Sequence, residues 1–282
     1  MSIYRCPVCG NPLTLDERRY HCAENHSFDI AKEGYTNLLL ANQKNSDDPG
    51  DNKQMIISRR DFLNLGHYDP LSDALNTIIE PLVSDNFTLL DVGCGEGYYL
   101  WKLRQALSKD LPETSYSLYG SDISKWAVKS ASKRDKACHF SVASLYHLPI
   151  QNESVDCLTR VFAPKSYTEF ARVLKDDGLF ISVVPASAHL MGLKEIIYDN
   201  PTLHPDQHEP EMDEFFTLHE QVRKNYPIIL QGAENILNLI KMTPYYWAMS
   251  QEASEKFAQL SEIELEIDCY LNVYKKHHLD SN

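Results

Sequence analysis

A chain of 282 residues, 43% hydrophobic and 24% charged, has room for one large α/β domain and a small appendage. No apolar run approaches the ~20 residues of a membrane span, and no apolar leader opens the sequence, so the expected setting is cytoplasmic with no membrane partner. The net charge of -13 excludes broad, sequence-blind binding to a phosphate backbone; it leaves open an RNA enzyme that reads a folded loop through a local groove.

Residues 1–35 are polar and rich in Cys and His, too short for a hydrophobic core of their own, and need a staple. The chain has seven cysteines, an odd number unevenly spaced, which argues against a disulfide framework, and three of them fall within the first 22 residues. Cys6-Pro-Val-Cys9 is followed by twelve residues and then Cys22-Ala-Glu-Asn-His26. One tight turn offers two thiolates and a second loop supplies a thiolate and an imidazole, the tetrahedral N/S set that zinc prefers. Cys6, Cys9, Cys22 and His26 are therefore expected to hold one structural Zn2+, because four protein ligands leave no open position for catalysis.

Residues 36–55, with Asn42, Asn45, Ser46, Asp47, Asp48, Pro49 and Gly50, read as a loop. A helix is expected from Met55 to Gly66 and another over Leu71–Leu82, with Leu71, Leu75, Ile78, Ile79 and Leu82 on one face. Strands and helices then alternate. The strands are Thr88–Val92, Ser115–Tyr119, Ala137–Val142, Val155–Val161 and Leu179–Val184; the helices are Tyr98–Leu107, Lys125–Lys133 and Ser166–Leu174, the last closed by Asp176-Asp177-Gly178. Repeated βα units predict a parallel, doubly wound sheet. Residues 186–215, with Pro201, Pro205 and Pro210, read as a largely irregular insertion. A helix over Ala233–Lys241 ended by Pro244 and a last strand over Ile263–Tyr274 complete the pattern. The implied domains are a zinc module at 1–36, linking helices at 37–86 and a catalytic domain at 87–282.

The first strand of the alternating region runs into Asp91-Val-Gly93-Cys-Gly95-Glu96-Gly97 and then a helix. Glycines at alternating positions let the backbone turn tightly and approach a ligand, and a nucleotide-like ligand belongs outside the carboxyl end of such a strand. The spacing is G-x-G-x-G, whereas a nicotinamide dinucleotide site needs G-x-G-x-x-G. Asp91 and Glu96 would repel a pyrophosphate but suit the sulfonium and amino groups of S-adenosyl-L-methionine. After the second strand, Asp122 is placed to accept both ribose hydroxyls; its other reading is a cap for the following helix, a job Ser124 is able to do. After the third strand, Ser144 is placed where a polar group would contact an adenine.

With these motifs the chain resembles class I (Rossmann-like) methyltransferases, and more closely the bacterial 23S ribosomal RNA guanine-N1-methyltransferases of the RlmA type. The resemblance spans nearly the whole chain. It rests on the Cys/His set, Phe28-Asp-Ile-Ala-Lys-Glu-Gly-Tyr-Thr-Asn-Leu-Leu39, Asp48-Pro-Gly-Asp51, Arg59-Arg-x-Phe-Leu-x-x-Gly-His-Tyr68, the Asp91–Tyr99 turn, Pro185-x3-His189-Leu190 and Met242-Thr-Pro-x-x-Trp247. It implies a zinc domain that helps hold an RNA stem-loop, a domain that methylates guanine N1 in a hairpin loop of 23S ribosomal RNA, and cofactor contacts at Tyr68, Glu96-Gly97 and His189. A homodimer forming the RNA cleft is expected with it.

Guanine N1 carries a proton and is a poor nucleophile, so the base must be extruded, aligned and relieved of that proton. The sequence identifies no base. In Arg160-Val-Phe162-Ala-Pro164, either Phe162 stacks on guanine with Arg160 facing O6, or Phe162 is core and Arg160 a surface charge. The candidates for a cationic groove are Arg18, Arg19, Lys32, Arg59 and Arg60. The alternative activity is methylation of a small metabolite, which would leave the zinc module without a purpose.

Overall fold

The computed structural model describes residues 2–44, 46–204 and 212–277. Asn45, Pro205 and Pro210, read above as loop residues, lie outside them. Strands β1 (Thr14–Asp16), β2 (Arg19–His21) and β3 (Ser27–Asp29) form a small antiparallel sheet in the N-terminal module. Each has three residues, too few for periodicity to reveal. The module shares the core of its neighbour: Ile3, Tyr4, Leu13 and Tyr20 join an apolar cluster with Leu148 and Ile150. Tyr4 packs edge-on against Tyr20 and Tyr119, at 5.2 and 5.5 Å between ring centres. The Arg5 N–H donates to the Pro149 carbonyl at 2.9 Å, and the Gln151 N–H to that of Ile3 at 2.8 Å.

Strand β4 (Tyr35–Asn37) already belongs to the large sheet. Helix α1 (Lys53–Leu63) begins two positions before the expected Met55, because the Asn52 side chain accepts from the Gln54 and Met55 N–H groups. Helix α2 (Asp69–Ile79) gives way to a 3₁₀ turn over Glu80–Leu82, short of the expected end, since Pro81 has no N–H to continue the ladder. Then follow β5 (Phe87–Val92), α3 (Tyr98–Asp110), β6 (Tyr116–Asp122), α4 (Lys125–Arg134), β7 (His139–Val142), β8 (Val155–Val161), α5 (Tyr167–Val173) and β9 (Leu174–Pro185). These match the expected alternation with one correction. Asp176-Asp177-Gly178 does not stop the helix, which ends at Val173. The triplet lies inside β9, where pairing with β8 jumps from Val155–Leu174 to Cys157–Leu179 and the extra residues bulge out.

The segment expected to be irregular contains α6 (Met191–Ile197), a short helix that buries Leu193 and Lys194. Strand β10 (Phe216–Gln231) was not foreseen. Helix α7 (Ala233–Lys241) ends where expected and leads through a 3₁₀ turn at Pro244–Ala248 to an unforeseen helix α8 (Gln251–Gln259); β11 (Glu262–Lys276) is the predicted last strand, slightly extended. The large sheet has the order β10-β11-β9-β8-β5-β6-β7-β4. It is parallel from β4 to β9, but β11 pairs antiparallel with both β9 and β10, so the sheet is mixed and not wholly parallel. The strand order reverses at β5 and β8, which opens a crevice at their carboxyl ends. Among the described residues no helix is long and apolar enough to cross a membrane.

Candidate active site

The four ligand atoms of Cys6, Cys9, Cys22 and His26 all lie within 4.8 Å of one another. Cys9 Sγ is 3.6 Å from Cys22 Sγ, and Cys22 Sγ is 3.4 Å from His26 Nδ1. Zinc–sulfur bonds of about 2.3 Å set tetrahedral ligands roughly 3.8 Å apart, so the donor set fits the metal in chemistry and spacing. The Val8 N–H donates to Cys6 Sγ at 3.4 Å, the contact expected of a thiolate held in a knuckle. Burial raises the Cys22 thiol, but the N–H groups of His26 and Glu24 and the neighbouring side chains outweigh it and bring the thiol down to about 7. None of the four lines the cavities at the crevice, as suits a structural site.

In the crevice, the turn after β5 takes its shape from glycine. Gly93 has φ +69°, and a Cβ there would sit 2.4 Å from the Cβ of Ala163. Gly97 has φ +83° at the start of α3, where a Cβ would meet Ala131 at 2.9 Å. The Gly95 N–H donates to Asp122 Oδ2 at 2.9 Å and the Ser124 N–H to Oδ1 at 2.8 Å, so one carboxylate ties the turn to the end of β6. Each oxygen retains a lone pair for a ribose hydroxyl. Ser124 caps α4, its Oγ accepting from the Ala127 N–H. Burial raises the Asp122 carboxyl, and these two N–H groups oppose it. Ser144 and Tyr146 line the same hollow as Asp122.

Asp91 lies behind the turn, accepting from Thr159 Oγ1 at 2.8 Å; burial pushes its carboxyl up to about 7. Glu96 pairs with Arg134 at 2.7 Å, yet burial still holds its carboxyl at about 7. No sequence spacing signals that Arg134 partnership. Glu96 Oε1 is buried without a hydrogen-bond partner among the described residues. An orphaned acceptor, two further carboxylates and a glycine cradle suit the cationic methionine end and the ribose of S-adenosyl-L-methionine.

Beside this turn opens a cavity of about 650 Å³ between α1, the ends of β8 and β9, and the Pro244 turn. Tyr68 and His189, assigned to the site by resemblance, both line it and are both buried. The rings of Tyr68 and Phe162 meet edge-on at 6.4 Å; His189 stacks on Phe162 at 5.6 Å. The Asp268 N–H donates to His189 Nδ1 at 3.3 Å, which assigns the ring proton to Nε2. Burial pushes the imidazole down to about 3, so it is neutral.

The structure brings Arg160 and Phe162 to this cavity in a form neither alternative stated in full. Phe162 is 39% exposed and holds a left-handed backbone, φ +52°, a strained conformation for a non-glycine residue. Arg160 is only 6% exposed, so it is not a surface charge. Trp247, 71% exposed, stands on the rim. Of the candidates for a cationic groove, Arg59 pairs with Asp51, Arg60 with Asp61 and Arg19 with Asp16.

Residues 4–47 match a family model described as RlmA, N-terminal, a zinc ribbon, and residues 83–242 match one described as a methyltransferase domain. A Bacillus subtilis (strain 168) protein provisionally named 23S rRNA (guanine-N(1)-)-methyltransferase YxjB is 30% identical over 275 residues, 95% of each chain. A Micromonospora griseorubida protein with the same provisional activity is 35% identical, covering 67% of this chain and 68% of its own. The 23S rRNA (guanine(748)-N(1))-methyltransferase of Streptomyces fradiae is 30% identical, covering 68% of this chain and 67% of its own.

Proposed function

The chain belongs to the family of 23S rRNA (guanine-N1)-methyltransferases and is a methyltransferase, and from that premise we propose that it methylates guanine N1 in a hairpin loop of 23S ribosomal RNA, with the cavity beside the glycine turn receiving the extruded base. The single observation that carries the placement is Phe162. An exposed aromatic held in a strained backbone at the mouth of a cavity, next to the residue that packs on Gly93, is what a base-stacking wall at a methyl-transfer site requires. S-adenosyl-L-methionine supplies the methyl group on a good leaving group, the sulfonium. Asp122 would hold the ribose, Asp91 and Glu96 the cationic end, and Tyr68 and His189 the wall between cofactor and base. The zinc module, residues 1–36 in this division, holds the RNA stem and needs one Zn2+ per chain on Cys6, Cys9, Cys22 and His26; residues 37–86 link it to the catalytic domain at 87–282.

With a net charge of -13, RNA affinity on this reading comes mainly from shape and stacking, with Trp247 on the rim as one contributor. A cytoplasmic enzyme acting as a homodimer completes the reading; the exposed outer edge of β10 offers a second copy a 16-residue pairing surface. The test is methyl transfer to protein-free 23S ribosomal RNA with base-resolution mapping, alongside sedimentation of the purified protein. Methylation at guanine N1 is expected. Transfer to another atom, or to a metabolite and not to RNA, overturns the reading.

A further inference from the structure

Arg160 is a fixed cation inside the protein with almost nothing to balance it. Its Nε and Nη2 donate to Ser182 Oγ at 3.2 and 2.9 Å, and no carboxylate pairs with it among the described residues. Arg160 and Ser182 are register partners on the parallel strands β8 and β9, so the sheet itself fixes the guanidinium at the cavity wall. A buried guanidinium cannot shed its proton, and leaving it without an anion is costly. A site that retains such a charge is matched to negative charge that arrives with, or develops on, its ligand.

We propose that Arg160 stabilises the N1-deprotonated guanine, placing its guanidinium against O6 as negative charge spreads over N1 and O6. The inference rests on the guanine-N1 reading above. The N1 proton leaves to hydroxide from solvent, forming water, and its electron pair stays on the base. That pair then forms the N1–CH3 bond as the CH3–S bond breaks, the bonding pair of CH3–S passing to sulfur, and O6 regains its neutral carbonyl form. Arg160 needs to gain or lose no proton in this sequence. Ser182 is a positioning residue that aims the guanidinium.

The other groups around the cavity leave the alkaline limb of the rate to the substrate. His189 and His204 are both lowered by burial, and Tyr68 and Tyr245 are both raised by it. Arg59 is already matched by Asp51, and Lys165 has a partner of its own. Asp91 and Glu96, whose carboxyls burial holds at about 7, contribute to a rise of rate near neutrality. A further rise on the alkaline side that levels off therefore reports ionisation of the guanine, and the pH at which it levels reports how strongly the site favours the anion.

The experiment is single-turnover methylation of protein-free 23S ribosomal RNA from pH 6 to 10 by wild type, R160M, R160K and S182A, with S-adenosylhomocysteine affinity and melting temperature measured for each. R160M is expected to lose about 10²–10³-fold in the rate at neutral pH. Its levelling pH should rise, R160K should recover part of both, and S182A should lose less than R160M. Replacing the target guanine with 6-thioguanine, whose N1 is more acidic, should shrink the R160M deficit. An R160M enzyme that binds S-adenosylhomocysteine and is slowed equally at every pH overturns the proposal, because Arg160 would then be structural. An R160M rate equal to wild type overturns it as well, and so does an R160M that does not fold if S182A and R160K keep the wild-type profile. If wild type itself methylates something other than guanine N1, it is the underlying reading that fails.

Discussion

Replacing Gly93 with alanine separates two costs that the glycine turn avoids. The first is backbone strain: a side chain at φ +69° costs about 1–2 kcal/mol. The second is the collision with Ala163. The new Cβ would lie 2.4 Å from that residue's Cβ, whereas carbon atoms rest about 3.5–4.0 Å apart. One of the two chains must move by more than about 1 Å, an overpacking cost of about 1–3 kcal/mol. The sum of about 2–5 kcal/mol corresponds to a melting temperature lower by roughly 4–20 °C, at about 2–4 °C per kcal/mol. In the Gly93→Ala, Ala163→Gly double variant the nearest remaining atom is the Cα of residue 163 at 3.7 Å, an ordinary contact. The collision is then gone and the strain cost should remain, roughly 2–8 °C. Thermal melts of the wild type, Gly93→Ala, Ala163→Gly and the double variant decide the matter, with S-adenosylhomocysteine calorimetry to follow the turn's function. If the second substitution rescues nothing, the packing argument for the cradle is refuted.

The remaining predictions concern the metal, the ribose and the buried carboxylates. Elemental analysis should find about one zinc per chain; Cys22→Ser should abolish it and lower the melting temperature while leaving S-adenosylhomocysteine affinity intact, and a metal-free protein of unchanged stability would contradict the ribbon. Asp122→Ala should weaken S-adenosylhomocysteine by about ten- to a hundredfold per lost charged hydrogen bond, which calorimetry reads directly. Asp91 binds its proton more tightly when folded than when unfolded, its carboxyl rising from an ordinary 3.8 to about 7. Its contribution to stability is therefore greatest below about pH 4 and is lost as pH rises toward 7. Asp91→Asn should gain on the wild-type apoprotein by up to about 4 kcal/mol between pH 4 and pH 8; denaturant melts at the two pH values that show a constant difference would refute the assignment.

The turn from Asp91 to Gly97, the Cys/His set and the alternating strands were legible because their chemistry is local: spacing alone places the groups. What escaped depends on contacts distant in sequence. The β10 segment carries apolar residues at Phe216, Leu218, Val222, Tyr226, Ile228 and Leu230, but Glu220, Lys224 and a register shift at Leu218–Glu220 break the alternation. Pro227 argues further against a strand, and is tolerated because β10 is the sheet edge. Asp176-Asp177-Gly178 has the composition of a helix stop, and only the pairing of β8 with β9 makes it a bulge. The Arg134 partner of Glu96 and the burial of Arg160 against Ser182 follow from the sheet order, which no stretch of sequence spells out.

The position of β11 between β9 and β10 has a consequence for how the protein comes into being. During synthesis β9 emerges with one ladder edge unpaired and β10 with no partner strand at all, and both wait for β11 until the ribosome has passed Lys276. The glycine turn, β5, β6 and Asp122 are by then already made, whereas His189 still lacks the Asp268 amide that orients its ring. A nascent chain is thus equipped to fold the glycine-turn half first, and the cavity wall proposed to face the guanine is finished last, by the strand that joins β9 to β10.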